Sequence, residues 1–168
     1  MSNITVNKMN FAGLQLDVIT GHPEHELLFK GTQVATVIGL KNPKVAIRKF
    51  QMRTSRIGKM MQVRDLVGKV HRGSTLDSDV NSWSILCDCP RWRDVWLMTE
   101  EALYEMLLAG NAPQTEPFRK WVTEEVLPTI RKTGSYNVET SITAEGIQFA
   151  AIFQSLPESS RQGAWKCS

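Results

Sequence analysis

Ten of the chain's twenty basic residues fall between Lys41 and Arg72, with one acid, Asp65, among them. They are Lys41, Lys44, Arg48, Lys49, Arg53, Arg56, Lys59, Arg64, Lys69 and Arg72. A block of one sign attracts a polyanion by Coulomb attraction, although many such blocks are only solvated faces. A chain that neutralises phosphates also gains affinity by releasing their condensed counterions. The spacing adds geometry. Asn42-Pro43 supplies a cap and a first-turn proline for a helix from Lys44 to about Met52. Asn42 and the free amides of that helix end can donate to a phosphate. Lys44 and Arg48, four apart, are neighbours on it. In a major groove the Arg48 fork would match guanine, but phosphate contact is the preferred reading for these residues. Lys41, Asn42, Lys44, Arg48, Lys49, Arg53, Arg56 and Lys59 are therefore the candidate nucleic-acid contacts.

Other chemistry is thinner. Cys87-Asp-Cys89 could join His71 or Cys167 around zinc, but the second paired-ligand motif such a site needs is missing. His22-Pro-Glu-His25 offers only two ligands in an expected turn. No metal or other cofactor is expected. The chain has no GxSxG, Walker loop, HExxH or dinucleotide glycine turn. Glu100-Glu101 and Glu124-Glu125 are adjacent, so each pair points around a helix and not into one site. An enzyme is not expected. Of the five tryptophans, Trp96 and Trp121 sit on patterned elements and read as core. Trp83 and Trp92 fall in an irregular stretch and read as a partner-binding surface, as do Ile147, Phe149 and Phe153 in the tail.

The elements that must hold these residues suit one domain with a short appendage. The chain has 168 residues, 42% hydrophobic and 22% charged, which fits a soluble globular protein with a real core. No apolar run approaches the roughly 20 residues that span a bilayer. No signal peptide is visible, and three unframed cysteines fit a reducing compartment, so an intracellular location is expected.

Leu14, Leu16 and Val18 alternate with polar neighbours as in a half-buried strand, and Gly21-His22-Pro23 turns the chain toward a partner strand at Glu26–Lys30. Thr32 is placed to cap a short helix over 33–38, ended by Gly39. With the basic helix after Asn42 it resembles a helix-turn-helix. Residues 53–92 read as an irregular insertion, with a loop over 72–84 and a short strand at 84–87. Residues 93–98 form a strand with Val95 and Leu97 on one face, Trp96 and Met98 on the other. Thr99 caps the apolar helix that follows, ended by Gly110-Asn111.

Phe118 to Tyr136 is a second long helix. Phe118, Trp121, Val122, Val126 and Ile130 share a face, Thr115 is its cap, Gly134 its left-handed exit, and Pro128 should kink it. Arg131 and Lys132 suit its C-terminal dipole. Asn137–Ile142 reads as a linker and 143–156 as a helical tail that either docks back or meets another chain.

Three strings in order resemble one family. Lys41-Asn-Pro-Lys-Val-Ala-Ile-Arg-Lys49, Leu97-Met-Thr-Glu-Glu-Ala-Leu-Tyr-Glu-Met-Leu-Leu108 and, nearly residue for residue, Phe118 to Tyr136 are similar to segments of Bro-N domains. These occur in phage antirepressors and baculovirus repeated proteins. The resemblance covers roughly residues 11–136 and implies a small α+β domain. With the elements above, the expected fold over 1–136 is a short antiparallel sheet, a helix-turn-helix-like pair and two longer packed helices, followed by a linker and short helical tail over 137–168. It also implies a phage regulator acting in the host cytoplasm on double-stranded DNA, as an antirepressor. The alternative is a module that binds and inactivates a phage repressor without touching DNA. Paired recognition helices on a palindromic site would suit a homodimer. The family often has His where Phe50 stands, and antirepressors commonly add a C-terminal domain in place of so short a tail.

Overall fold

The computed structural model describes residues 4–11, 14–54, 58–70, 83, 89–141, 143, 144, 146, 147, 150 and 151. Its frame is a five-stranded antiparallel sheet in the order β1-β2-β3-β5-β4. The strands are β1 (Thr5–Phe11), β2 (Leu14–Thr20), β3 (Leu27–Lys30), β4 (Met60–Gln62) and β5 (Trp96–Thr99). The expected hairpin is β2 with β3, in the register Val18↔Phe29 and Thr20↔Leu27. β1 extends it outward, with Thr5 opposite Thr20. On its other side β3 pairs with β5, and β4 closes that edge.

Neighbouring apolar residues on a strand point to opposite faces. Val18-Ile19, Leu28-Phe29 and Leu97-Met98 therefore supply two cores at once. Leu14, Leu16, Val18, Phe29 and Met98 face one side. There they meet α1 (Gly31–Val37), α2 (Pro43–Thr54), α4 (Glu100–Ala109) and the long helix α5 (residues 113–133). Ile19, Leu28 and Leu97 face the other side and meet α3 (Val63–Val70), Trp83 and Trp92. The expected two-faced strand is seen: Val95 and Leu97 belong to the second core, Trp96 and Met98 to the first.

Residues 60–70, expected within an irregular insertion, are regular. β4 is too short to show a period, whereas Val63, Leu66 and Val67 make a helical stripe that covers the second sheet face. The expected loop over 72–84 and the strand at 84–87 lie outside the described residues, apart from Trp83.

Caps follow the sequence in part. The Thr99 hydroxyl accepts from the Ala102 amide, and Gly39 and Gly134 take left-handed φ of 82° and 80°. Two expected caps fail. α1 starts at Gly31 directly from β3, so Thr32 lies inside its first turn. A 3-10 turn at Pro113–Thr115 precedes the α-helical part of α5, and the buried Thr115 hydroxyl donates to the Ala112 carbonyl at 2.9 Å instead of capping. Pro128, where a kink is expected, instead follows a widened turn. It has no N–H for the Glu124 carbonyl, and the turn before it, Val122–Val126, widens to a π-helix. Ile130, expected on the core stripe, is exposed beyond that turn. Among the described residues no helix is long and apolar enough to cross a membrane.

Candidate nucleic-acid interface

α2 is fixed from one side. Ile47 is buried in the first core, and Ala46 and Phe50 are half-buried beside it. Gly31 makes the joint with α1 tight: a Cβ there would stand 3.1 Å from Ile47 Cδ1 and 3.3 Å from the Trp96 carbonyl oxygen. The Asn42 carbonyl accepts the Ala46 amide at 2.9 Å, so Asn42 stands at the cap position expected of it.

The outward side of α2 is cationic. Lys41, Asn42, Lys44, Arg48, Lys49 and Arg53 are all exposed. No acid occurs between residues 41 and 54. Among the described residues none of these five cations pairs with a carboxylate. Arg56 lies outside the described residues.

Two further members of the basic block, Lys59 and Arg64, are held in ion pairs. Lys59 bridges to Glu101 at 2.9 Å and Glu105 at 3.3 Å on α4. The Glu101 hydrogen bond, partly opposed by burial and aided by Glu105, holds its ammonium above the usual lysine range. Arg64 pairs with Asp94. Lys59 is thus a tie between β4 and α4 and not part of the open cationic surface.

The expected tryptophan surface is corrected. Trp83 and Trp92 are 3% and 8% exposed, buried in the second core, where α3 alone does not cover the sheet. Arg93 lies over the Trp92 ring, 4.5 Å from its centroid. In the tail, Ile147 is exposed, and Ala150 packs against the first core. Phe149 and Phe153 lie outside the described residues.

Among the described residues the His22/His25 motif gathers no third ligand. The His22 and His25 rings stack at 5.2 Å, and His22 Nδ1 accepts the Glu24 amide. Cys87, His71 and Cys167 lie outside the described residues, while Cys89 packs on the second core. Among the described residues no group of three or more His, Cys, Asp or Glu could hold a metal.

A second feature escaped sequence reading. Beside the π-turn is a cleft of about 580 Å³, lined in part by Trp121, Glu125, Pro128, Tyr136 and Ser141. Glu125 accepts from the Tyr136 hydroxyl at 2.8 Å and from the Ser141 and Thr143 hydroxyls. Tyr136 in turn accepts from Trp121 Nε1 at 3.1 Å. Burial pushes the Glu125 carboxyl up, but the Ser141, Thr143 and Tyr136 donors outweigh it, and the group sits below the usual carboxylate range. Within residues 137–141, expected as a linker, Val138 is buried in the first core and Ser141 bonds Glu125, while Asn137, Glu139 and Thr140 are exposed. Only the separation of Glu125 from its three donors, across a helix end, hid this cluster.

The geometry defines an antiparallel α+β domain that carries an exposed cationic helix. The chain belongs to the BRO family: its N-terminal domain, Bro-N, matches residues 15–128. An uncharacterised protein of Haemophilus influenzae is 28% identical over 82% of this chain and 56% of its own length. A protein named for the Bro-N domain, 201R of Invertebrate iridescent virus 6, is 27% identical over 73% of this chain and 28% of its own. Another so named, 019R of Invertebrate iridescent virus 3, is 44% identical over 27% of this chain and 11% of its own. The chain thus spans about half or less of these relatives. No solved structure matches it.

Proposed function

We propose that this Bro-N chain binds double-stranded DNA through α2 and controls viral gene expression, as a phage antirepressor. One observation carries the reading: five exposed cations on and just before α2, with no acid in that segment and no carboxylate partner among the described residues. Such a surface gains by displacing counterions from a duplex. If all five cations engage phosphates, affinity falls about 500-fold between 50 and 200 mM salt. Replacing Lys44 and Arg48 by Ala should weaken binding and flatten the plot of log affinity against log salt by about 1.8 units. Both side chains are exposed, so the fold should be unaffected. Fluorescence anisotropy on a duplex across a salt series measures this. No duplex binding at low salt, or an unchanged slope in the double variant, would overturn the reading.

A second reading, in which the domain binds and inactivates a repressor without touching DNA, is favoured by Leu127 and Ile130. They are 55% and 41% exposed, three residues apart on α5. On this reading a repressor co-purifies with the Lys44→Ala/Arg48→Ala variant as well as with the wild type.

A further inference from the structure

The outward face of α2 is not uniformly charged. Val45 is 50% exposed and Met52 70% exposed. They are seven residues apart, so they project within about 20° of each other on the helix. At about 100° per residue, Lys44 and Arg48 lie to one side of them, Lys49 and Arg53 to the other. Ile47 and Phe50, which fasten the helix to the core, lie on the opposite side. The exposed face is thus an apolar stripe between two rows of cations, each row spaced i, i+4.

Val45 and Met52 leave half or more of their apolar surface in water within the domain itself. Their surroundings say what could cover them. Cationic rows on both sides, without an acid in the segment, complement two walls of negative charge with a floor between them. The major groove of a duplex has that form. It is about 12 Å wide and admits one helix, its walls are phosphates, and the apolar group on its floor is the thymine methyl.

We infer that Val45 and Met52 read thymine methyl groups in the major groove while Lys44/Arg48 and Lys49/Arg53 hold the phosphates on either side. This rests on the DNA reading of α2 and makes it sequence-selective. It also gives Arg48 a phosphate in place of a guanine. Seven residues of helix rise about 10.5 Å, or about three base-pair steps. The preferred site therefore carries two thymines about three base pairs apart, with the helix lying along the groove between them.

The test begins with the full chain and a random pool of duplexes, from which bound sequences are selected. Affinity is then measured on a selected duplex and on the same duplex with deoxyuridine for thymidine, which removes only the methyl groups. Each lost methyl should weaken wild-type binding about fourfold, and both together about 16-fold. The Val45→Ala/Met52→Ala variant should bind thymine and uracil duplexes equally and keep the wild-type salt slope. Both side chains project from the surface, so the substitutions leave the core intact. Salt-dependent binding by the wild type with no thymine-over-uracil preference overturns the methyl contact alone. A full preference retained by the variant does the same. So does a variant with unchanged duplex affinity that has lost a co-purifying repressor, since the stripe would then be a protein contact. Failure of the wild type to bind any duplex instead removes the DNA reading of α2, and this inference with it.

Discussion

At the scale of single residues, Glu125 is a titratable group held by three hydroxyl donors. Its folded pKa is lowered, because three hydroxyl donors outweigh the cost of burial. A lowered carboxyl stabilises the fold fully above its unfolded pKa of about 4.3, and that contribution is lost as pH falls through the folded value. Thermal melts from pH 7 to pH 3 should show an acid limb below about pH 4 to which Glu125 contributes. Ser141→Ala/Thr143→Ala should lower stability at neutral pH by about 1–2 kcal/mol and narrow its difference from the wild type at pH 3. Parallel losses at both pH values would mean that the hydroxyls act by packing and not on the charge. The sequence showed Glu124-Glu125 only as an adjacent pair that could not share a site. Both in fact line the cleft, and it is Glu125 that the Tyr136, Ser141 and Thr143 hydroxyls bond. Its partners were hidden because a helix end and a turn bring Tyr136, Ser141 and Thr143 to it, and no local spacing encodes that. Thr99 is the contrary case. It precedes an apolar run and two glutamates, so its capping role is purely local and was legible.

Among the elements, α2 depends on a close joint with α1. Gly31 has Ile47 Cδ1 and the Trp96 carbonyl within 3.3 Å of where a Cβ would sit. Gly31→Ala therefore overpacks that joint, at a cost of about 1–3 kcal/mol, offset by at most about 1 kcal/mol of helix propensity. A net loss of about 1–2 kcal/mol is expected in urea denaturation. Because Ile47 is the anchor of α2, the shift should also reduce duplex affinity, although Gly31 adds no charge. Unchanged affinity in a destabilised Gly31→Ala would show that α2 keeps its position when the joint moves. The two helices were legible from Gly39, Asn42-Pro43 and the stripe of Ala46, Ile47 and Phe50. Their closeness was not, because it rests on a missing Cβ opposite a strand carbonyl far away in sequence. A break in α5 at Pro128 was legible, since the proline forbids one bond wherever the rest of the chain lies; the π-turn that takes it up was not. Its side effect, turning Ile130 into solvent, needed the structure.

At the scale of the whole molecule, the sheet is covered on both faces, and the chain after α5 closes the first of them. Tyr136 and Val138 are buried in the first core, and Ser141 and Thr143 bond Glu125 from beyond it. Composition changes at Asn137 from patterned to polar, which reads as a boundary. One buried valine within a polar stretch carries no periodicity, so its docking was not legible. A chain cut after Tyr136 should therefore fold with reduced stability. It loses the burial of Val138, worth about 1.5–3 kcal/mol, and two hydrogen bonds of about 0.5–1.5 kcal/mol each. Part of this is recovered as Glu125 gains access to water, so a deficit of about 3 kcal/mol is expected. A chain cut after Ile147 keeps every one of these contacts, loses only the packing of Ala150, and should fall within about 1 kcal/mol of the full chain. Urea midpoints of the three chains decide the matter, with unchanged slopes showing that each unfolds from the same compact state. Equal midpoints for the cuts after Tyr136 and Ile147 would mean that 137–143 only rests on the domain. Light scattering on the same three chains separates this from association. If the tail joined two copies, the shorter chains would lose mass as well as stability; if it only closes its own core, all three have the mass of the same oligomer and differ only in midpoint.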